Sequence, residues 1–286
     1  MELFFINGVP LDHAVDDASR ADHGIRFNDR ALQYGDGVFE TLRIVDGCIP
    51  MWEFHQQRLI WAQHALKLPL DLFLSRWQMF VQQHLADVAS GCAKLVISRG
   101  CGPRGYKIPN DSRLNWWLQV NDFAPRKNVT PFHLTLCQHT LSRQPVLAGL
   151  KHLNRLDQVI ARSEWGDEAG FDEGIMFNLD GDVVEGTMSN VFWLSGDQLF
   201  TPDLSQEGID GCVRRWLIAD PYELLTSPVI IKKAAKLDEL LSADAVFLTN
   251  SLLGIQSVQT IAGHAVAQSA WVDTLAKAFN DQFSRS

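Results

Sequence analysis

The chain of 286 residues has no surplus of basic side chains. It carries 25 lysines and arginines against 34 aspartates and glutamates, and its formal net charge is −9. A strongly basic surface is the usual mark of a protein that binds nucleic acid or an anionic membrane. The sequence therefore predicts neither partner. An acidic chain that binds an anion must use a local cluster of arginines and backbone amides.

Cysteine is scarce, and its spacing is irregular. The number is odd and no CxxC pair occurs, which argues against a disulfide framework and against a structural zinc site. The five positions are Cys48, Cys92, Cys101, Cys137 and Cys212. We expect a reduced, cytoplasmic protein that needs no metal.

Long apolar runs are also absent. No stretch approaches the length that spans a bilayer. The start, MELFFINGVPLDH, has no basic region and no long apolar core, so we do not expect it to act as a signal peptide. Apolar residues nevertheless make up 46% of the chain, which is ordinary for a protein that buries a core.

The first half mixes strand and helix patterns. LFFING and GVPLDH predict two short strands around a turn, and residues 38–52 predict a hairpin around Asp46-Gly47. Apolar residues at helical spacing predict a helix from about Glu53 to Lys67. A second helix, capped by Asp71, is expected to continue to about Val88. Two further strands are predicted over 94–99 and 113–120.

The second half begins after a polar, proline-containing stretch. Residues 121–131 are the best candidate for a linker between an N-terminal α/β domain, 1–120, and a C-terminal domain, 132–286. The C-terminal part opens with a strand over 133–141. It continues with hairpins, the helix CVRRWLIA, the strand AVFLTN and a final helix from about Ala270. Strands and helices occur in blocks rather than in strict alternation, which favours an α+β fold.

The loop after the 94–99 strand contains the pattern GxGxxG, from Gly100 to Gly105. A dinucleotide site requires this turn to open directly into a helix. Here it runs into YKIPND, where Pro109 disfavours a long helix. We therefore reject a nucleotide site. The arginines of the loop, Arg99 and Arg104, are of more interest than its glycines.

Six separated segments become informative together. In chain order they are RFNDRALQYGDGVFETLR (26–43), FHQQRL (54–59), GLKHLNRL (149–156), VVEGTMSNVFW (183–193), EGIDG (207–211) and LTNSLLGIQSV (248–258). Over nearly the whole chain this order resembles the fold-type IV pyridoxal-phosphate enzymes. The resemblance implies a two-domain α+β fold with the cofactor between the domains, and a homodimer.

The resemblance assigns the central chemistry to two residues. Lys151 matches the lysine that forms a Schiff base with the cofactor aldehyde and acts as general acid and base. An amine is nucleophilic only when neutral, and desolvation by neighbours such as Leu150 and Leu153 favours that form. Glu185 matches the carboxylate that keeps the cofactor's ring nitrogen protonated. Taken alone, Lys151 is a surface lysine before a helix, and Glu185 is a solvated turn residue.

Four residues match the family's phosphate site. Arg58 matches the arginine that pairs with the phosphate, although alone it is an exposed helix charge. The amides of Ile209 and Asp210 precede a helix, where unsatisfied N–H groups and the dipole favour an anion. Ser251 matches a hydroxyl position. Asp210 departs from the family pattern, so its carboxylate must turn away from the phosphate.

Within the group, KHLNRLDQVIARSEW (151–165) with ISRGCGPRGY (97–106) resembles the 4-amino-4-deoxychorismate lyases most. Such an enzyme yields 4-aminobenzoate, a folate precursor, and pyruvate. Its substrate is a small molecule with two carboxylates, which planar guanidinium groups suit. Arg104 and Arg99, with Tyr106 beside them, are the candidate substrate residues.

Two alternatives remain open at the level of sequence. A D-amino acid or branched-chain aminotransferase shares the same fold and cofactor residues, although Asn250 and Leu252 stand where aminotransferases are richer in serine and threonine. A non-catalytic protein that only binds pyridoxal phosphate is the second alternative.

Overall fold

The computed structural model describes residues 2–11, 25–124, 130–220, 223–225 and 227–283. The chain divides into two compact units. The first holds Met1–Ala124 together with Lys151–Asn154, and the second holds Pro125–Leu150 and Arg155–Arg285. The linker over 121–131 stays a prediction, because residues 125–129 lie outside the described residues. The assignment of Lys151–Asn154 to the first unit is a feature that the sequence analysis did not anticipate.

The first unit is built on an antiparallel sheet. Its strands are β1 (Glu2–Ile6), β2 (Val9–Pro10), β3 (Gly37–Val45), β4 (Ser90–Ser98) and β5 (Asn115–Asp122). They lie in the order β2-β1-β5-β4-β3, so β3 is an edge strand. Along β3 the buried side chains alternate with more exposed ones, as the two-residue period of a strand requires. That alternation buries one acidic residue, Glu40, between apolar neighbours.

The helices of the first unit are α1 (Arg30–Tyr34), α2 (Trp52–Leu66) and α3 (Asp71–His84). The expectation that Asp71 caps α3 is wrong. The N-cap position is Leu70, and the Asp71 carboxylate instead accepts a hydrogen bond of 3.0 Å from Gln63. The helix also ends before Val88, since the chain turns after Leu85 to enter β4.

The hairpin predicted over 38–52 is only half correct. Its turn forms, because Asp46 and Gly47 both adopt positive φ, 47° and 75°. Only a single bridge, between Val45 and Cys48, follows the turn. Pro50 lacks the N–H that a second strand needs, and α2 begins two residues later. The strand β3 pairs with β4 instead.

The second unit is built on a mixed sheet. Its strands are β6 (Phe132–Leu141), β7 (Glu173–Asn178), β8 (Val183–Gly186), β9 (Asn190–Ser195), β10 (Gln198–Pro202), β11 (Ile230–Lys232), β12 (Ala245–Asn250), β13 (Gly254–Ile261) and β14 (His264–Ala265). The order is β11-β10-β9-β12-β13-β6-β7-β8, with β14 beside β13. The pairs β10–β11, β6–β13 and β6–β7 are parallel, and the others are antiparallel.

The helices of the second unit are α4 (Leu156–Arg162), α5 (Cys212–Ala219), α6 (Leu237–Leu241) and α7 (Ala270–Phe283). A short 3₁₀ turn covers Asp167–Ala169. A core of branched and aromatic side chains includes Leu134, Ile175, Val191, Trp193, Val246 and Val258. The predicted α+β class is confirmed by this mixture. Of the helices in the described residues, none combines the length and the apolar character that a membrane span needs.

Candidate active site

Lys151 lies on the open edge of the first sheet. Its carbonyl accepts a 2.9 Å hydrogen bond from the amide of Phe39, and the amide of Leu153 donates to the carbonyl of Gly37 at 3.1 Å. These two bonds dock the segment Lys151–Asn154 onto β3. The lysine Nζ lies 4.5 Å from the centre of the Phe39 ring. The amine is therefore held beside an aromatic face, a neighbour that the sequence analysis did not identify.

Gly37 makes this docking possible. A Cβ atom at this position would lie 2.2 Å from the carbonyl oxygen of Ile97 and 2.9 Å from a methyl carbon of Leu153. A side chain at residue 37 would therefore displace the strand or the lysine segment. The close approach explains why the second glycine of the Gly35-Asp36-Gly37 turn is needed.

Arg58 is buried, with 3% of its surface exposed, so the interpretation as a solvated helix charge is wrong. Its Nε donates to Oε1 of Glu40 at 2.9 Å, and its Nη2 donates to Oε2 of the same carboxylate. Nδ1 of His55 lies 2.7 Å from Oε2. This network fixes the guanidinium in one orientation. The phosphate role of Arg58 stays a prediction.

The network also shifts the pKa of Glu40. Burial by itself raises the pKa of a carboxyl group, but the charge of Arg58 and the bond with His55 outweigh it and lower the pKa of Glu40 to about 2. A carboxylate at an inward position of a strand needs a cationic partner. The position of Glu40 in the β3 alternation was the sequence signal for this pair.

Arg99 is held within the first unit by three partners. Its Nε donates to Asp36 at 2.8 Å, and its Nη1 and Nη2 donate to the carbonyls of Lys67 and Leu66 at 2.8 and 2.5 Å. These bonds tie the end of β4 to the end of α2. These hydrogen bonds give Arg99 a structural role, and they do not support its predicted contact with substrate.

Arg104 and Tyr106, by contrast, present exposed side chains. They flank Gly105 in the loop between β4 and β5. Tyr106 is 85% exposed, and its ring meets the Tyr34 ring edge-on, with the ring centres 5.4 Å apart. The described loop continues to β5 without the helix that a GxGxxG dinucleotide site requires.

In the second unit, Glu185 lies on β8 and is 3% exposed, so the solvated-turn interpretation is wrong. Its Oε2 accepts a 2.8 Å bond from the amide of Ile209. Its Oε1 lies 3.4 Å from the side-chain amide of Gln158. A buried carboxylate that accepts hydrogen bonds suits a protonated ring nitrogen as a further donor.

The amides of Ile209 and Asp210 were expected to face a phosphate, and the hydrogen bonds correct this expectation. The Ile209 amide donates to Glu185, and the Asp210 amide donates to the carbonyl of Gly149 at 3.1 Å. Both donors are thus used within the unit. The N-cap residue of α5 is Gly211, which has no side chain to cap the helix. The first turn of α5 is therefore the better source of anion-facing amides.

The Asp210 carboxylate has cationic partners on α5. Arg214 donates to it through Nη1 at 2.6 Å, and Nε of Arg215 lies 3.7 Å away. Arg214 also donates to the carbonyl of Pro202 at 2.8 Å. The negative charge that departs from the family pattern is therefore compensated locally by two arginines.

Two asparagines shape the loops around this region. Asn190 donates to the carbonyl of Ile209 at 2.8 Å and accepts from the amide of Gly211 at 3.0 Å. Asn250 accepts from the amides of Leu252 and Leu253 at 3.0 and 2.8 Å. It thereby closes the turn that contains the half-buried Ser251.

Glu173 holds the turn that follows Glu185. The buried carboxylate accepts from the amides of Thr187 and Met188 at 3.0 and 3.1 Å, from the Thr187 hydroxyl, and from the Ser189 hydroxyl at 3.2 Å. Glu173, Asn190 and this role of Asn250 were not predicted from the sequence. Their signal was weak, since polar residues at strand ends are common in turns.

The fold and these residues define a class of enzyme. A lysine amine beside an aromatic ring, a buried carboxylate and an uncapped helix start are the parts that a phosphate-bearing, amine-reactive cofactor requires. The chain belongs to the amino-transferase class IV family, whose family model matches residues 37–261. Enzymes of this family use pyridoxal phosphate, which is the cofactor of this chain.

Similar proteins cover nearly the whole chain. An aminodeoxychorismate lyase of Vibrio harveyi is 33% identical over 266 residues, which is 91% of each chain. An aminodeoxychorismate lyase of Bacillus subtilis is 29% identical and covers 88% of this chain and 84% of its own. The crystal structure of 4-amino-4-deoxychorismate lyase from Pseudomonas aeruginosa superposes with a TM-score of 0.82 at 33% identity, over 98% of this chain and 97% of that one.

Proposed function

We propose that this protein converts 4-amino-4-deoxychorismate to 4-aminobenzoate and pyruvate, as a lyase of folate biosynthesis. The observation that carries the proposal is the 33% identity, across 91% of the chain, to a relative named for this reaction. The range matched by the family model, 37–261, includes both the lysine segment and the arginine loop, where the residues that resembled a lyase lie.

The residues of the two units fit pyridoxal phosphate. We assign Lys151 and Arg58 in the first unit, and Glu185, Ser251 and the first turn of α5 in the second unit, to cofactor binding. The fit rests on the buried Glu185 carboxylate and on the glycine N-cap of α5. When bound, pyridoxal phosphate supplies an aldehyde for the substrate amine and a ring that takes up the electrons of a carbanion.

Lys151 moves the protons of the reaction. Its neutral amine removes the hydrogen from the ring carbon that bears the substrate amine. The electrons of that C–H bond form a ring double bond as the neighbouring C–O bond breaks, which makes the product aromatic and expels enolpyruvate. The proton held by Lys151 then passes to the methylene carbon of enolpyruvate and gives pyruvate. The carboxylate of Glu185 would hold the cofactor's ring nitrogen and keep it protonated.

Substrate carboxylates are assigned to Arg104, with Tyr106 beside it. Both side chains are exposed and available to a ligand, whereas the Arg99 guanidinium already serves Asp36 and two carbonyls. Arg99 therefore contributes by holding the start of the same loop.

The protein is further proposed to be a cytoplasmic homodimer. Phe27 and Leu32 of the first unit are 84% and 61% exposed, and large apolar side chains of this kind are what a subunit interface covers. The cytoplasmic assignment rests on the spacing of the five cysteines. Sedimentation analysis should give twice the chain mass of 32.1 kDa, and a monomer would contradict the dimer.

The decisive assay supplies purified, cofactor-loaded protein with aminodeoxychorismate alone and measures 4-aminobenzoate and pyruvate. Equal amounts of both products are expected. Transfer of the amine to a 2-oxo acid would instead identify an aminotransferase for D- or branched-chain amino acids. Cofactor uptake without either reaction would leave a non-catalytic binding protein. Lys151→Ala is the matched negative control, since it keeps the fold but removes the amine.

A further inference from the structure

We propose that Arg30 and Tyr34, one turn apart on α1, are positioning residues that clamp Gly105 and thereby aim Arg104 and Tyr106 at the substrate. This inference rests on the proposed function, in which those two side chains bind a substrate carboxylate. Neither Arg30 nor Tyr34 is itself assigned a contact with substrate or cofactor.

The side chains of Arg30 and Tyr34 hydrogen-bond both backbone polar groups of Gly105. The Gly105 amide donates to the Tyr34 hydroxyl at 3.0 Å, and Nη1 of Arg30 donates to the Gly105 carbonyl at 3.0 Å. Nη2 of Arg30 also lies 3.4 Å from the carbonyl of Tyr106. Two side chains of one helix thus fix the backbone on both sides of the loop's turning point.

The clamp is itself anchored. Arg30 is only 3% exposed, and its Nε donates to Asp36 at 2.7 Å. Its guanidinium carbon lies 4.9 Å from the centre of the Tyr34 ring, so the two gripping side chains also support each other. Asp36 receives Arg99 as well, and the bonds from Arg99 and Arg30 overcome the effect of burial and lower the pKa of Asp36. The Asp36 carboxylate therefore stays charged and holds Arg30 in place.

The conformation of Gly105 explains why such a clamp matters. Its φ is +104°, a region that favours glycine, and a Cβ there would meet no atom within 4 Å. Space alone does not hold the residue in this conformation. The hydrogen bonds must therefore select it, and they set the direction of the exposed side chains on either side. A preoriented arginine loses less entropy when it binds a carboxylate.

Tyr34→Phe is the sharpest test, because it removes the hydroxyl that accepts from Gly105 but keeps the ring beside Arg30 and Tyr106. Loss of one hydrogen bond corresponds to about a two- to tenfold effect. We expect KM for aminodeoxychorismate to rise by that factor while kcat changes by less than about twofold. Arg30→Lys keeps the positive charge but loses the planar fork, and it should raise KM at least as much.

A second readout follows loop order without any substrate. Trypsin cleaves after Arg104 and Lys107. Variants that lose a hydrogen bond to Gly105 should therefore be cleaved faster within this loop, and mass spectrometry identifies the cleavage sites. Gln33→Ala, an exposed position on the same helix, is the matched control and should behave as wild type in both assays.

An unchanged KM in Tyr34→Phe and Arg30→Lys would overturn the clamp. A general rise in cleavage at many sites, together with a lower melting temperature, would also overturn the clamp. That result would mean that the two residues only stabilise the fold. If the wild-type protein makes no 4-aminobenzoate, the proposed function fails by itself. Selective cleavage at Arg104 and Lys107 then still decides whether Arg30 and Tyr34 order the loop.

Discussion

The two units of the molecule stabilise their functional residues in different ways. In the first unit, charged side chains pair with one another: Glu40 with Arg58, and Asp36 with Arg30 and Arg99. In the second, Asp210 also pairs with Arg214, but side chains that bind backbone groups hold the loop before α5: Glu185 and Asn190 hold the loop from Ile209 to Gly211.

The difference has a physical consequence. An ion pair in the first unit orients a side chain, and removing one partner leaves a buried charge without compensation. A side chain in the second unit orients a loop, and removing it leaves backbone groups that water can partly satisfy. Substitutions that break the Glu40–Arg58 pair should therefore reduce stability, whereas those at Glu185 and Asn190 should reduce cofactor binding or rate.

The largest effect is expected from Glu40→Gln. The change leaves the buried Arg58 guanidinium facing a neutral amide, and breaking a buried pair in this way costs about 3–5 kcal/mol. Urea unfolding should show a loss of free energy of unfolding in that range. The double variant Glu40→Gln/Arg58→Met is the control, since removing both charges should recover part of the loss. A Glu40→Gln protein as stable as wild type would remove the contrast between the units.

Glu185→Gln tests the other side of the comparison. The amide oxygen still accepts from Ile209, so the loop and the stability should be retained. A neutral group no longer holds the proton on the cofactor's ring nitrogen, and loss of such electrostatic stabilisation costs about a hundredfold or more in kcat. A melting curve checks the retained stability, and steady-state rates check the loss of kcat. A large loss of stability with a normal rate would show Glu185 to be a structural residue.

Acid should weaken the first unit through Glu40. The pKa of its carboxyl lies near 4.5 in the unfolded chain and is lowered to about 2 in the fold. A lowered pKa means that this stabilisation is complete above about pH 4.5 and is lost as the pH falls towards 2. The difference in unfolding free energy between wild type and Glu40→Gln should shrink across this range, and a constant difference would argue against the pair.

Compact elements could be predicted from the sequence, whereas partners distant in the chain could not. The helix α5 and the strand β12 have the predicted residues, because short apolar patterns between turn signals depend on local sequence. The pair Glu40–Arg58 depends on how α2 packs against β3, which no local pattern encodes. The position of Lys151 beside β3 also depends on the tertiary fold, although its residue type and its family match were clear from the sequence.

The docking of the Lys151 segment on β3 arises only after the first sheet has formed. Its hydrogen bonds join residues more than a hundred positions apart, Phe39 with Lys151 and Gly37 with Leu153. The amides of Ile209 and Asp210 show the same limit in the second unit. Their place before a helix was predicted correctly, but their acceptors, Glu185 and Gly149, are set by the tertiary fold.

Asn190→Ala should have the smallest effect and a selective one. The substitution removes the two part-buried bonds to the Ile209 carbonyl and the Gly211 amide, which belong to the loop before α5. Loss of such bonds is worth roughly 1–3 kcal/mol. Because the two bonds orient the loop before α5, the Kd for pyridoxal phosphate should rise about tenfold. The melting temperature of the cofactor-free protein should barely change. Absorbance titration of the cofactor-free protein measures this Kd. Asn190→Asp keeps the acceptor for the Gly211 amide, so its Kd for pyridoxal phosphate should lie between those of wild type and Asn190→Ala. A lower melting temperature with an unchanged Kd would mean that Asn190 supports the fold as the ion pairs of the first unit do, and the contrast between the two units would no longer hold at this loop.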